Sequence, residues 1–278
     1  MAGRVLGRCN RETPYTGSNG CTKGEALTAA LLFHDVKARY TDDEDTFIAE
    51  LPTLVYATDL TRIYPVGNIQ AVDMSGFDTN TSDNGSGYTV PTNKSQVIAT
   101  YTLPNDDCLY KQLIKMQHVD WRVFRVDQDG YIYGTIIKDE FCGFRCQVSV
   151  RRIQASGTDS AYLYLEVYYS AQYEAELSNL NAYQIGVENI PEGLVPVIVQ
   201  AVQGGSKVVG ECSAEDYTEQ YGDQWTAAMF IQSSGTAATS VAYANGVLTI
   251  TPNGTYRVTD VSVLVPAGIL GITGVPLT

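Results

Sequence analysis

The chain has 278 residues, a length that suits two domains each able to bury its own core. Hydrophobic residues make up 44% and aromatic residues 10%, which excludes an intrinsically disordered chain. The net charge of −13, from 31 acids and 18 bases, argues against a surface that binds nucleic acid by neutralising phosphates. The acids either keep DNA from adhering or simply keep the protein soluble.

No stretch of sequence approaches the ~20 apolar residues of a membrane span, and Met1 to Cys9 lacks the apolar core of a secretion signal. We therefore expect a protein that is made in the cytoplasm and has no membrane partner. Six cysteines in that compartment are most simply free thiols. The 19 tyrosines, against 7 phenylalanines, favour half-buried sheets and protein interfaces.

The first quarter of the chain predicts an arm followed by strands. Residues 1–24 are rich in Gly, Asn, Thr and Pro and predict an N-terminal arm. Ala26 to Phe33 is a short apolar run without a helix cap before it, which favours a strand. Asp42 to Asp45 predicts a solvated turn, and Leu51 to Ile69 predicts two short strands.

Residues 73–95 consist almost wholly of Ser, Thr, Asn, Asp and Gly, a composition typical of a long functional loop or of disorder. Asn84-Gly85 near the middle supports a flexible hairpin that reaches out of the domain. We predict that this hairpin is a contact arm between copies of the protein. The residues predicted to make the contact are Phe77, Asp78, Tyr88 and Lys94.

One amphipathic helix is predicted beside the sheet. Val97 to Leu103 alternates as a strand, and Asn105 and Asp106 then offer helix caps. The helix ends near Gln117, and its apolar side faces the sheet. That side comprises Leu109, Leu113 and Met116.

The centre of the larger domain is Val119 to Ile153, which is rich in aromatic and β-branched residues. Asp129-Gly130 interrupts it with the dipeptide best suited to a tight hairpin turn. Gly143 breaks the chain again before the alternating run from Phe144, so we predict a third strand that folds back on the second. The three strands together predict a β-meander.

The rest of the larger domain, residues 25–183, ends in one more strand and a helical turn. Ser160 to Tyr169 alternates apolar residues with phenols and an acid, so one face of the strand is apolar and the other polar. Tyr173 to Leu180 predicts the helical turn. Gln184 to Gly193, with Pro191, reads as the domain boundary.

Residues 194–278 predict a small immunoglobulin-like sandwich, because short β runs alternate there with turn signals such as Asn245-Gly246. The prediction rests on this rhythm, since Cys212 alone cannot form the disulfide of an antibody domain. The predicted strands are Val195 to Val202, Trp225 to Ile231, Thr239 to Ala244, Val247 to Thr251, Thr255 to Val258 and Val261 to Val265.

The candidates for catalysis favour structural roles. His34 and His118 each have an acid nearby, Asp35 and Asp120, but no Gly-x-Ser-x-Gly elbow supplies a nucleophile. Asp127-x-Asp129-Gly130 resembles the start of a calcium loop without its closing Glu, so a hairpin turn explains it better.

Other possible sites fail on spacing. Gly204 to Lys207 lacks the spacing of a phosphate loop, and the carboxylate pairs Asp106-Asp107 and Asp139-Glu140 are adjacent rather than opposed across a cleft. Cys142 and Cys146, on an extended segment, would lie about 13 Å apart, too far for one zinc ion. We expect no catalytic, cofactor or metal site, and no enzyme.

Residues 50–180 of the larger domain contain a set of short motifs. They are Arg62-Ile63-Tyr64-Pro65, Leu109 to Leu113, Trp121-Arg122-Val123-Phe124, Asp129-Gly130, Gly134-Thr135 and Gly143-Phe144. Through these motifs the larger domain resembles virion structural proteins of tailed phages. The long N-terminal arm with its cysteines departs from the family pattern.

Within that family the parts resemble a tail tube subunit: a β-sandwich with one flanking helix, a polar arm and an immunoglobulin-like module. The resemblance implies a virion protein, assembled in the host cytoplasm, whose hexameric rings stack into a tube and contact other virion proteins. It also implies that DNA passes along an acidic bore without adhering. The alternative is a capsid decoration or carbohydrate-binding surface protein whose tyrosine-faced strands stack on sugars.

Overall fold

The computed structural model describes residues 26–76, 79–83, 89–94, 96–157, 160–213, 215–232 and 234–275. They form two compact units. The first contains the described residues of Met1–Leu54 and Leu60–Pro191, and the second those of Val55–Asp59 and Glu192–Thr278. Sequence analysis places the domain boundary at 184–193. The fold is mainly antiparallel β-structure, as predicted.

The first unit contains thirteen strands and three α-helices among its described residues. The strands are β1 (Thr28–Asp35), β2 (Tyr40–Thr41), β3 (Ile63–Val66), β4 (Ala71–Ser75), β5 (Thr79–Asp83), β6 (Thr89–Lys94), β7 (Ile98–Pro104), β8 (Asp120–Asp127), β9 (Tyr131–Ile137), β10 (Glu140–Cys142), β11 (Phe144–Ile153), β12 (Tyr162–Tyr169) and β13 (Leu180–Gln184). The helices are α1 (Glu44–Leu54), α2 (Asp107–Lys115) and α3 (Tyr173–Ser178).

The main sheet folds over on itself. Its strands pair antiparallel in the order β3-β1-β8-β11-β12-β7-β4. The two terminal strands are consecutive in the chain, and the link from Val66 to Ala71 spans at most about 18 Å. The two ends of the sheet therefore lie close together, and its buried faces enclose one core. The largest side chains of that core include Phe33, Tyr101, Tyr133, Phe144 and Tyr169.

Strand β8 is shared between two partners on one edge. Its first half pairs with β11, with Val123 opposite Phe144, and its end pairs with β9, with Val126 opposite Ile132. The predicted hairpin at Gly130 is confirmed. The prediction that the third strand folds back on the second is wrong, because β11 pairs with β8, and the strand that folds back on β9 is instead the short β10.

Gly143 is the point at which the chain crosses from β9 to β8. A Cβ atom there would lie 2.5 Å from the carbonyl carbon of Val123, so only glycine fits against the β8 backbone. The Gly143 N–H donates to His34 Nε2 at 2.9 Å, which fixes the crossing from the β1 side. Gly143 is therefore required because two backbones lie close together there, and not because the chain turns.

A second core lies on the other face of β1 and β8, under α1. Phe47 and Leu51 of α1 pack there with Phe124 and Phe141. The sequence predicts a solvated turn and strands in this region, and that prediction is wrong for 44–54. Asp43 caps the helix by accepting from the Thr46 N–H at 3.0 Å.

Several shorter predictions are confirmed. The strands predicted at Ala26, Val97 and Ser160 are β1, β7 and β12, and the helical turn at Tyr173 is α3. The predicted amphipathic helix is α2, and the Asp106 carboxylate caps it by accepting from the N–H groups of Cys108 and Leu109.

The second unit packs a five-stranded and a two-stranded sheet around one core that includes Trp225 and Phe230. Its strands are β14 (Val195–Val202), β15 (Gly205–Gly210), β16 (Phe230–Gln232), β17 (Ser240–Ala244), β18 (Val247–Thr251), β19 (Tyr256–Val258) and β20 (Ile272–Gly274). Its helices are α4 (Tyr217–Tyr221) and α5 (Val261–Leu264).

The larger sheet has the order β17-β18-β15-β14-β20, in which β14 and β20 are parallel. The strand predicted at Val261 is wrong: α5 forms there, because the Asp260 carboxylate caps it through the Ser262 N–H. The strand predicted from Trp225 is reduced to β16. The immunoglobulin-like classification stays a prediction.

The Gly143 crossing gives a test of the fold. Gly143→Ala should lower the free energy of unfolding of the first unit by about 1–3 kcal/mol, since the new methyl must displace backbone. Gly67→Ala is the matched control, because nothing lies within 4 Å of a Cβ at Gly67. Urea denaturation of both variants makes the comparison, and equal stability would contradict the role assigned to Gly143.

Candidate assembly surface

Strands β4, β7, β12 and β11 present one continuous face to solvent, which we name the polar sheet face. Burial alternates along β7 and β12, so every second side chain enters the core and the others point outward. The face carries Asp73 from β4, Thr100 and Thr102 from β7, Tyr162, Tyr164, Glu166 and Tyr168 from β12, Arg145, Gln147, Ser149 and Arg151 from β11, and Asp120 from β8.

The tyrosines of this face are held by one acid and one arginine. Arg151 Nε donates to Glu166 Oε1 at 3.0 Å, and the Tyr168 hydroxyl donates to Glu166 Oε2 at 2.8 Å. The hydrogen bond to Glu166 raises the pKa of Tyr168. The Arg151 guanidinium lies 4.7 Å from the ring centre of Tyr164, which covers that ring.

A second ion pair lies at the β8 end of the face. Arg145 Nη2 is 2.5 Å from Asp120 Oδ2, and Gln147 Nε2 donates to Asp120 Oδ1 at 2.8 Å. These hydrogen bonds, from Gln147 first and Arg145 second, lower the pKa of Asp120. Both arginines of the face therefore lie beside carboxylates, and Asp73 adds a further acid. The face is polar and weakly acidic.

The hairpin of β5 and β6 leaves the main sheet beside this face. The two strands pair with each other and with no other strand of the described residues. The hairpin emerges where β4 ends and β7 begins, with Ser75 opposite Ile98. A Cβ on Gly76 would lie 2.0 Å from the Gln96 carbonyl oxygen, so the two ends of the segment 77–95 are adjacent.

The predicted contact residues fall within this segment. Phe77, Asp78 and Tyr88 lie outside the described residues. Lys94 is the last residue of β6, where the structure describes the backbone alone. Their contact with a neighbouring copy stays a prediction.

His34 is buried between β1, β8 and the Gly143 crossing. Its Nε2 accepts from the Gly143 N–H, so its Nδ1 carries the proton and donates to the Asp35 carbonyl oxygen at 2.9 Å. The bond is to the Asp35 backbone, and its carboxylate instead accepts from the Lys37 N–H. Burial lowers the pKa of His34 to about 3, so the ring is neutral and fully hydrogen-bonded.

The other residues considered for chemistry also have structural partners. The Asp127 carboxylate accepts from the Asp129 and Tyr131 N–H groups and from the Tyr133 hydroxyl, as a turn requires. Asp107 pairs with Arg152, while Glu140 lies 4.0 Å from Arg39.

Gly204 belongs to the turn between β14 and β15, with φ of +88°. His118 is exposed in the turn after α2.

Four cysteines lie in the described residues, and they divide into two kinds. Cys108 and Cys212 are disulfide-bonded, so the expectation of free thiols is wrong for both. Cys142 and Cys146 are free and buried, and burial raises the pKa of each thiol. A solvated thiolate is the form that reacts, so these two are chemically quiet.

One buried ion pair of the first unit was not predicted from the sequence. Arg122 Nη1 lies 3.1 Å from Glu176 Oε1, and both side chains are 7% exposed. Arg122 Nη1 also donates to the Gly143 carbonyl at 2.6 Å, and Glu176 Oε2 accepts from the Arg145 N–H. The sequence signal for this pair was Arg122, an arginine within the largely apolar strand β8.

No protein-family model matches the chain. No curated protein matches it at a significant level. Among the described residues, none of the helices combines the length and the apolar character needed to cross a bilayer.

The buried neutral His34 makes stability depend on pH. In the unfolded chain this ring takes up a proton below about pH 6.5, whereas in the fold it does so only near pH 3. The stability that neutral His34 contributes is therefore fully present well above pH 6.5. It falls by about 1.4 kcal/mol per pH unit between about pH 6 and the folded pKa of about 3.

His34→Gln removes that proton uptake and should have a shallower pH dependence than the wild type. Urea unfolding at several pH values between 4.5 and 7 measures the slope of unfolding free energy against pH for each protein. Both proteins contain the same carboxylates, so the difference between the slopes reports on His34. Identical slopes would mean that His34 is not buried in the neutral form.

Proposed function

We propose that the protein is a structural subunit of a phage virion, whose copies form stacked, hexameric rings of a tail tube. The single observation that carries this proposal is the β5–β6 hairpin, a two-stranded sheet that stands apart from the main sheet. An isolated two-stranded hairpin is marginally stable in water. A surface on a neighbouring copy would stabilise it.

The edges of the main sheet limit where copies can join. The β2 edge is two residues long, and β3 contains Pro65, a residue that blocks strand pairing. On the β13 edge the N–H groups of Ala182 and Gln184 already donate to Asn181 Oδ1 and Glu44 Oε1. The β4 edge has five residues and no proline, and the hairpin follows it directly. We therefore assign ring and inter-ring contacts to β4 and the hairpin.

The polar sheet face suits the wall of a conduit. DNA binds to proteins mainly through free cations that replace its counterions. Arg145 and Arg151 are each neutralised by a carboxylate, and Asp73 adds negative charge. Phosphates passing such a wall would meet weak repulsion rather than a binding site.

The alternative function is a capsid decoration or carbohydrate-binding surface protein. The row of tyrosines on β12 favours it, because aromatic rings stack on sugars. Against it, Arg151 covers the ring of Tyr164, and Tyr162 meets that ring edge-on at 4.9 Å between centroids. Negative-stain images of the purified protein separate the two functions, as rings or tubes support the first and discrete particles the second.

Removal of the hairpin tests the assembly role. Replacing residues 77–95 by Asn-Gly should join β4 to β7 in a tight hairpin, because Gly76 and Gln96 are adjacent. We expect a folded protein with unchanged thermal stability of the main sheet that no longer forms rings or tubes. Circular dichroism and electron microscopy measure the two properties.

The matched control is Gln203→Asn, which places the same Asn-Gly pair in the turn between β14 and β15. That variant should assemble like the wild type. If the protein without residues 77–95 still forms tubes, the hairpin is not the assembly element.

The conduit role predicts an effect of charge on DNA binding. Glu166→Gln leaves Arg151 without its carboxylate, so assembled variant protein should retain double-stranded DNA at low salt, where wild-type assemblies do not. Glu50→Gln, an equal change of charge on exposed α1, is the control. Co-sedimentation at 50 mM and 200 mM salt measures retention, and DNA binding by wild-type assemblies at both salts would contradict the proposal.

A further inference from the structure

One edge of the second unit is open over five uncharged residues. Strand β14 pairs with β15 from Val197 to Val202, but on its other edge β20 pairs only with Val195 to Val197. Residues 198–202 therefore have no strand partner on that edge within the described part of the chain. Ile198 is 39% exposed.

The backbone groups at this edge can be assigned. Val208 of β15 stands opposite Val199, and its N–H donates away from β14 to Thr218 Oγ1 at 2.7 Å. Two opposed residues of an antiparallel pair either bond to each other or both direct their N–H and C=O groups away from each other. Val199 therefore directs its N–H and C=O to the open edge. Ala201, two residues on, does the same, while Gln200 and Val202 bond to β15.

The open edge carries none of the usual protection against pairing. Edge strands are normally blunted by proline, by lysine or by a bulge. Residues 198–202 read Ile-Val-Gln-Ala-Val, and 193–206 contain no charged side chain in a chain of net charge −13. Two copies can bring this edge together without bringing like charges together.

We propose that this edge pairs with the same edge of a second copy, antiparallel, about a two-fold axis at Gln200. Val199 of one copy then faces Ala201 of the other, and their outward groups make four hydrogen bonds. The length also fits, because the window begins where β20 ends and finishes at the Gln203-Gly204 turn. Ile198 then lies opposite Val202 of the second copy.

This pairing does not rest on the proposed function. A two-fold contact uses the same patch on both copies and closes as a dimer, whereas stacked rings need head-to-tail contacts. The pairing therefore belongs to free copies in solution. With five residues a side it is a weak contact, formed at high protein concentration.

Charges placed on the axis test the register. Gln200→Lys and Gln200→Glu each put like charges directly opposite one another, so each variant alone should dimerise about tenfold more weakly than wild type. An equimolar mixture of the two should restore dimers, since unlike charges then meet. Sedimentation velocity of the full chain over a range of concentrations measures the association.

Thr249→Lys and Thr249→Glu are the matched controls, because Thr249 is exposed on β18, away from the edge. Both should dimerise like the wild type. Hydrogen exchange adds a local readout: the amides of Val199 and Ala201 should be protected in dimers and fast in Gln200→Lys, while those of Gln200 and Val202 stay protected in both.

Three results would overturn the inference: a wild type that stays monomeric at high concentration, mixed variants that fail to associate, or Val199 and Ala201 amides still protected in monomeric Gln200→Lys. The last result would mean that something other than a second copy covers the edge. Ring formation is scored separately by microscopy, so the proposed tail function can stand or fall independently of the dimer.

Discussion

The first unit depends on the buried ion pair between Arg122 and Glu176. Two charges taken out of water are costly unless they pair closely and gain further hydrogen bonds. Here Arg122 also donates to the Gly143 carbonyl, and Glu176 accepts from the Arg145 backbone. The pair thereby ties β8, the crossing into β11 and helix α3 together at the place where β8 changes partner.

The same place explains why one strand can serve two halves of a folded sheet. Gly143 brings the chain against β8. Its N–H donates to His34 Nε2, and its carbonyl oxygen accepts from Arg122 Nη1. The Gly143 N–H and C=O, which the crossing takes from water, both have partners, whereas Arg122 Nε is buried without one. Apolar side chains then pack on both faces of β1 and β8, and they form the two cores on either side of this crossing.

Local signals in the sequence were enough for several strands and for the hairpin at Gly130. Alternation predicted both faces of β12, Asp129-Gly130 predicted the turn between β8 and β9, and Asp106 predicted the start of α2. Contacts between residues far apart in the sequence could not be predicted. The partner of β11 depends on backbone contact at Gly143, and α1 was hidden by Pro52 in its last turn and by four acids that resemble a solvated loop. The polar sheet face was predicted as a row of tyrosines, but its pairing of Arg151 with Glu166 requires the register of two strands far apart in sequence.

The adjacency of Gly76 and Gln96 has an evolutionary consequence. An insertion whose two ends meet imposes no strain on the sheet that carries it, whatever its length. Selection can therefore rewrite residues 77–95 to suit a new binding surface while the cores that stabilise each copy are left untouched. Folding and recognition would then be inherited as separate traits of a single chain.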